Sequence, residues 1–231
     1  MRAYVINLKN RADRWDSVTK QIDKLGLPIV RIDAISKRDL QHVDAKFVAP
    51  GVAATWKSHQ LAMATFLETS DEYTVIMEDD FLLTKSWDSR VLDQVIELRP
   101  DFFQFGYLVT SPIDRLDLLT ANSFDLLLKW LRNVCAVSKS FNRKFGSRLL
   151  IQEQSGVSSN FVPTDIRAGG QAYLVSRKFA EASKYMNTPA FTSADGVFMS
   201  LGDVRSFRMY RSRKSLIVQT NSPTSVEQRY I

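Results

Sequence analysis

Cysteine is almost absent: Cys135 is the single one in 231 residues. No disulfide can form within the chain and no cysteine-based zinc site can assemble. A reducing compartment suits that composition. Long apolar runs are missing too. Nowhere do about 18 uncharged apolar residues follow one another, the length that a membrane-crossing helix needs. The apolar run near the start, within Met1 to Lys9, is too short for a secretory signal. The expected location is therefore cytoplasmic, with peripheral contact at the cytoplasmic face of a membrane at most. Acids vanish from two stretches. Residues 126–152 hold Lys129, Arg132, Lys139, Arg143, Lys144 and Arg148 with no Asp or Glu, and residues 204–226 hold Arg205, Arg208, Arg211, Arg213 and Lys214, again with none. Such runs favour phosphate-bearing partners, an anionic membrane surface among them, although a solvated basic face is the plainer reading of either run alone. Neither run matches a helix-turn-helix, zinc-finger or RNA-recognition pattern, so no specific nucleic-acid partner is expected. Internal repeats are absent.

What is present is ordinary for a globular α/β protein: 45% hydrophobic and 24% charged residues, with a formal charge of +6. Strand and helix patterns alternate along one length, which predicts one domain over residues 1–231. The rhythm breaks after Leu108. Phe124, Leu127, Leu128, Leu131, Val134 and Cys135 lie on one helical stripe, and a basic, serine-rich stretch follows. Residues 110–165 thus read as a basic helical insertion covering or extending one end of a sheet.

The chain is organised around Tyr73-Thr-Val-Ile-Met-Glu78-Asp79-Asp80-Phe-Leu-Leu83. Thr74 to Met77 reads as a buried strand, and three acids follow without a break. If the extended spacing continues, Glu78 and Asp80 face one crevice and Asp79 the other side. Adjacent carboxylates repel, and a hard divalent cation, Mg²⁺ or Mn²⁺, offsets that repulsion and can hold a diphosphate. A solvated acidic turn is the alternative.

Upstream, Tyr4 to Leu8 predicts a strand, Trp15, Val18, Ile22 and Leu25 a helix capped by Gly26, and Ile29 to Ile32 a second strand. This βαβ pattern implies parallel pairing. It places Asn7 to Arg14 at the carboxyl end of the first strand, where ligands of open α/β sheets bind. There Arg11 and Arg14 either pair with a diphosphate or serve as surface charges beside Asp13 and Asp16. Gly51 opens a helix carrying Trp56, His59, Met63 and Phe66 on one stripe. A histidine in that setting is more often a hydrogen-bonded core residue than a ligand or base.

Four stretches stand in a definite order: Val5-Ile6-Asn7-Leu8 with Arg11, Asp13 and Arg14; Gly51 with Ser58-His59; Ile76-Met77-Glu78-Asp79-Asp80; and Gly170-Gln-Ala-Tyr-Leu-Val-Ser176. The ordered set resembles glycosyltransferase family 25, the lipooligosaccharide galactosyltransferase type related to collagen galactosyltransferases. The resemblance covers about residues 1–107 and 168–200. Val52 departs from it, standing where glutamate is usual, and so does Gln171, where histidine is common. The resemblance implies a GT-A-like nucleotide-sugar-binding fold, mainly a parallel sheet flanked by helices. It implies transfer of a sugar, most often galactose, from a UDP-sugar to a saccharide or glycolipid acceptor such as a lipooligosaccharide, with inversion. Carried onto this chain, it makes Glu78 and Asp80 the ligands of Mn²⁺ or Mg²⁺, and Asn7, Arg11, Arg14, Ser58, His59 and Asp79 the donor-binding set. Asp195, within Ser-Ala-Asp-Gly-Val, falls where the family places a Val-Asp and is the candidate base. A non-catalytic protein on the same fold, holding a glycan or an anionic lipid, is the alternative.

Overall fold

The computed structural model describes residues 1–107, 160–163, 166–202 and 207–220. The helix expected from Phe124 to Cys135, the basic run 129–148 and Arg205 lie outside the described residues.

Strand β1, Ala3–Asn7, is buried along its whole length, as its unbroken apolar run dictates. Helix α1 (Ala12–Thr19) and a single turn α2 (Ile22–Leu25) carry the chain to β2 (Ile29–Asp33), which pairs with β1 in parallel. One continuous helix was expected there, but it breaks at Lys20–Gln21. At the break the Gln21 side chain becomes a tertiary connector: its Nε2 donates to the Phe81 carbonyl at 3.1 Å and its Oε1 accepts from the Leu83 amide at 2.8 Å. Gly26 then ends α2 in the left-handed conformation (φ 77°).

A turn of 3₁₀ helix (His42–Ala45) precedes α3 (Pro50–Leu67), whose first turn holds Pro50, where the missing N–H costs nothing. Then come β3 (Tyr73–Glu78), β4 (Phe81–Leu83), α4 (Val91–Glu97) and β5 (Phe102–Gln104). Beyond the region not described lie β6 (Phe161–Pro163), β7 (Ala172–Ser176), α5 (Arg177–Ser183), α6 (Ala194–Gly202), β8 (Met209–Ser212) and β9 (Ile217–Gln219).

Seven strands form one sheet in the order β2-β1-β3-β7-β5-β8-β6, and β4 pairs with β9 in a small second sheet. Strands β2, β1, β3, β5 and β8 run one way, while β7 and β6 run against their neighbours. The sheet is mixed with a mainly parallel sense, the reversed β7 sitting at its centre. Side chains alternate across the strands into two cores. Ile6, Ile76 and Tyr173 face α3, α5 and α6, packing with Trp56, Met63, Phe179 and Phe198. Val5, Val75, Met77 and Leu174 face the other layer, packing with Val18, Leu25, Trp87 and Val95. Both cores run up to the same sheet edge, where β1 and β3 end and β7 begins.

Candidate functional site

That edge gathers Asn7, Glu78, Asp79, Asp80, Gly170 and Gln171. The ladder itself brings them there: Ile6 pairs with Glu78, Met77 with Ala172, and the Glu78 amide donates to the Gln171 carbonyl at 3.0 Å.

β3 ends at Glu78, and Asp79 and Asp80 occupy a turn, so the extended alternation stops before the second acid. The expected pairing of Glu78 with Asp80 against Asp79 is therefore corrected. Asp79 and Asp80 both turn toward α1 and share one cation. Arg14 Nη1 lies 2.7 Å from Asp79 Oδ1 and 3.5 Å from Asp80 Oδ2, with all three side chains buried. Asn7 Nδ2 donates to Asp79 Oδ2 at 2.6 Å and to the Arg11 carbonyl at 3.1 Å, tying the end of β1 to the acidic turn. Asp80 Oδ2 also accepts from Gln219 Nε2 at 2.8 Å. Burial, then the charge of Glu78, push Asp80 up to about 6, against the pull of the Gln219 hydrogen bond and of Arg14.

Arg14 thus sits against the acids, not at an open phosphate position, and its observed part is to hold the acidic turn. Arg11 pairs with Asp13 through two hydrogen bonds of 2.9 and 2.8 Å near the surface, the arrangement of the surface-charge alternative. Ser58 is spent on structure: its hydroxyl donates to the Ala54 carbonyl at 2.8 Å and accepts from the Ile35 amide at 2.9 Å.

On the α3 face a second group assembles. His59 is fully buried, its Nδ1 2.7 Å from the Tyr173 hydroxyl and its Nε2 3.4 Å from Glu78 Oε1. Asp195 lies in the first turn of α6. A Cβ added to Gly170 would stand 2.9 Å from Asp195 Oδ1 and 3.8 Å from Glu78 Oε1, so the two carboxylates converge above this glycine. Burial drives the Tyr173 phenol well above its ordinary pKa, and the charges of Glu78 and Asp195 add to that. Tyr173, Gly170 and Gln219 were assigned no role from sequence. Tyr173 and Gly170 stand inside a quoted motif. Gln219 carries no local signal, since its partner is 139 residues away.

The fit of a divalent cation can be tested on the buried oxygens. Among the described residues nothing donates a hydrogen bond to the buried acceptors Asp80 Oδ1 and Asn7 Oδ1. Both are hard oxygens, and one belongs to a carboxylate, so the residues fit Mg²⁺ or Mn²⁺. Among the described residues no three His, Cys, Asp or Glu side chains converge as a protein-only cage. Such a site needs further oxygens from water or from a phosphate-bearing ligand, as Mg²⁺ sites usually do.

A separate cleft of about 560 Å³ opens between the segment leading into α4 and the β8–β9 connection, lined in part by Arg90, Asn160, Ser212, Arg213 and Lys214. The basic run 205–214 is not one solvated face. Arg211 is buried, with its guanidinium 5.2 Å from the Tyr107 ring, because β8 turns alternate residues inward.

The fold and the edge together define an α/β protein with a carboxylate cluster at the carboxyl ends of its parallel strands β1 and β3, the usual ligand position in such sheets. The chain belongs to glycosyltransferase family 25 (LPS biosynthesis protein), whose sequence model matches residues 1–183. Asn7, the acidic turn, His59 and Tyr173 fall inside that match, while Asp195 and Gln219 fall beyond it. No curated protein sequence matches the chain. Among the described residues no helix is long and apolar enough to cross a membrane.

Proposed function

We propose that this member of the family is a metal-assisted transferase on a GT-A-like fold, moving a sugar from a UDP-sugar, galactose in first place, to a saccharide or glycolipid acceptor. The observation that carries the reading is Asp80: a buried carboxylate with one oxygen that no described residue donates to, at the sheet edge where a diphosphate would lie. Burying a carboxylate that shares its one cation with a second acid is unfavourable, and cation binding there offsets the cost.

Asp80 and Asn7, in place of the pair Glu78 and Asp80 that the family resemblance implies, would hold Mn²⁺ or Mg²⁺ through their buried oxygens, and Arg14 with Asp79 keeps Asp80 in place. When bound, the ion neutralises charge that builds on the departing diphosphate. Arg11, near the surface at the start of α1, would exchange Asp13 for the donor's phosphates. The acceptor hydroxyl oxygen forms a bond to the anomeric carbon as the bond from that carbon to the diphosphate oxygen breaks. UDP leaves with the electron pair, and the hydroxyl proton passes to a carboxylate, for which Asp195 is the candidate. Attack opposite the leaving group inverts the anomeric centre.

Incubation with UDP-sugars and saccharide acceptors, reading UDP release with Mn²⁺ and with EDTA, tests this directly. Release that depends on cation, and stops in Asp80→Asn, is the expected result. No cation-dependent release with any donor and acceptor would favour the non-catalytic glycan- or lipid-binding alternative.

A further inference from the structure

The buried group on the α3 face explains a feature that the transfer reading leaves unused. Tyr173 and His59 are both sealed from water, and each ring is packed on aromatic neighbours. Tyr173 stacks on Phe102 with centroids 5.1 Å apart, and Phe198 meets the Tyr173 and His59 rings at 4.8 and 6.2 Å. A phenol that donates to Nδ1 leaves the ring hydrogen on Nε2, the tautomer that turns a donor toward Glu78. Among the described residues Nε2 has no hydrogen bond, and it lies 3.4 Å from Glu78 Oε1. In that tautomer the chain aims a buried donor at Glu78, the acid that ends β3.

We infer that Tyr173 and His59 are positioning residues that hold the Glu78 carboxylate beside Asp195 above Gly170, where Glu78 accepts a hydrogen bond from an acceptor hydroxyl next to the one that reacts, whose own proton goes to Asp195. This rests on the transferase reading and extends it to the acceptor half of the site. Asp79 and Asp80 serve the donor half, on the α1 side of β3. Gly170 separates Glu78 from Asp195 with bare backbone, and any side chain there would fill the space that the incoming hydroxyl needs.

Two measurements decide it. The chain has only two histidines, so ¹⁵N spectra of histidine-labelled protein report the His59 ring directly. The expected result is an Nε2–H ring in the parent and loss of that single tautomer in Tyr173→Phe, which keeps the aromatic packing and removes the hydroxyl. An Nδ1–H ring in the parent overturns the inference, whether or not sugar is transferred. The second measurement is kinetic. Misplacing a reacting group by about 1 Å costs on the order of 10²-fold, so Tyr173→Phe and His59→Leu should each lower acceptor-dependent kcat by about 10- to 100-fold. Calorimetric UDP affinity should stay unchanged. His59→Gln, whose amide nitrogen reaches the Nε2 position, should recover most of the rate. Full kcat in Tyr173→Phe and His59→Leu overturns the inference, as does a fall matched by equal loss of UDP affinity. A parent protein that transfers no sugar to any acceptor overturns the transferase reading, and with it the part given to Glu78.

Discussion

Asp80 carries a conflict between folding and ligand binding that a single substitution exposes. Its pKa is raised from 3.8 to about 6 in the folded chain. The folded state therefore binds more protons than the unfolded state between those values, and stability falls as pH rises through that window. Asp80→Asn should remove the penalty while keeping an oxygen that can accept from Gln219. The expected gain is about 1–3 kcal/mol of unfolding free energy at pH 7, fading below about pH 4, where the acid is protonated in both states. Urea denaturation at the two pH values checks this, and the same variant should lose transfer. The neighbouring cation behaves in the opposite way. Arg14 is buried between two carboxylates, so Arg14→Ala leaves them uncompensated and should cost about 3–5 kcal/mol. Arg11→Ala removes a near-surface pair and should shift stability by less than about 1 kcal/mol, while weakening UDP binding if Arg11 reaches the diphosphate. Thermal unfolding of both variants beside UDP titration separates the two arginines.

Among the elements, β9 contributes most to the site for its size. It is three residues long, pairs with β4, and delivers Gln219 to Asp80 across the turn. Gln219→Ala should leave β4–β9 pairing in place, because the ladder uses backbone groups, but should free Asp80 to rotate. The expected outcome is a smaller rise in Tm on adding Mn²⁺ than the parent shows, with unfolding in the absence of metal changed by no more than about 1.5 kcal/mol. A parent protein whose Tm ignores Mn²⁺ would count against the cation site itself. Helix α3 plays a comparable part on the other layer. Ala53, Ala54 and Ala62 let it lie close on the sheet, and that proximity carries His59 to Glu78.

For the whole molecule, charge distribution sets the expectation. Arg213 and Lys214 line a cleft separate from the acidic turn, together with Arg90, which is paired with Asp88. An acceptor bearing phosphate or carboxylate would be drawn to that side by screened electrostatics. Raising ionic strength from 50 to 300 mM (on the order of one halving of the Debye length) should increase the acceptor KM several-fold more than the donor KM. The double variant Arg213→Ala/Lys214→Ala should flatten that dependence. Equal salt sensitivity for both substrates would return the basic residues to the status of a solvated face.

Residue patterns alone made β1 and β3 legible, because strands buried on both faces need near-continuous apolar runs and these have them. They also marked the acidic triplet and the helix carrying His59, since periodicity is a local property. Three things were not local. The break at Gln21 depends on hydrogen bonds to a strand 60 residues away, and the direction of Asp79 and Asp80 depends on where β3 ends and on an arginine 65 residues earlier. Alternation applies only while the chain stays extended, so counting by twos failed at the first turn residue. The reversed β7 was equally hidden, because a strand's sequence does not encode its direction relative to its neighbours. The sequence by itself determined that a carboxylate cluster would end a buried strand in an α/β domain. Only the tertiary structure decided which acids share Arg14 and which one meets His59, because partners are chosen by packing across the two faces of the sheet.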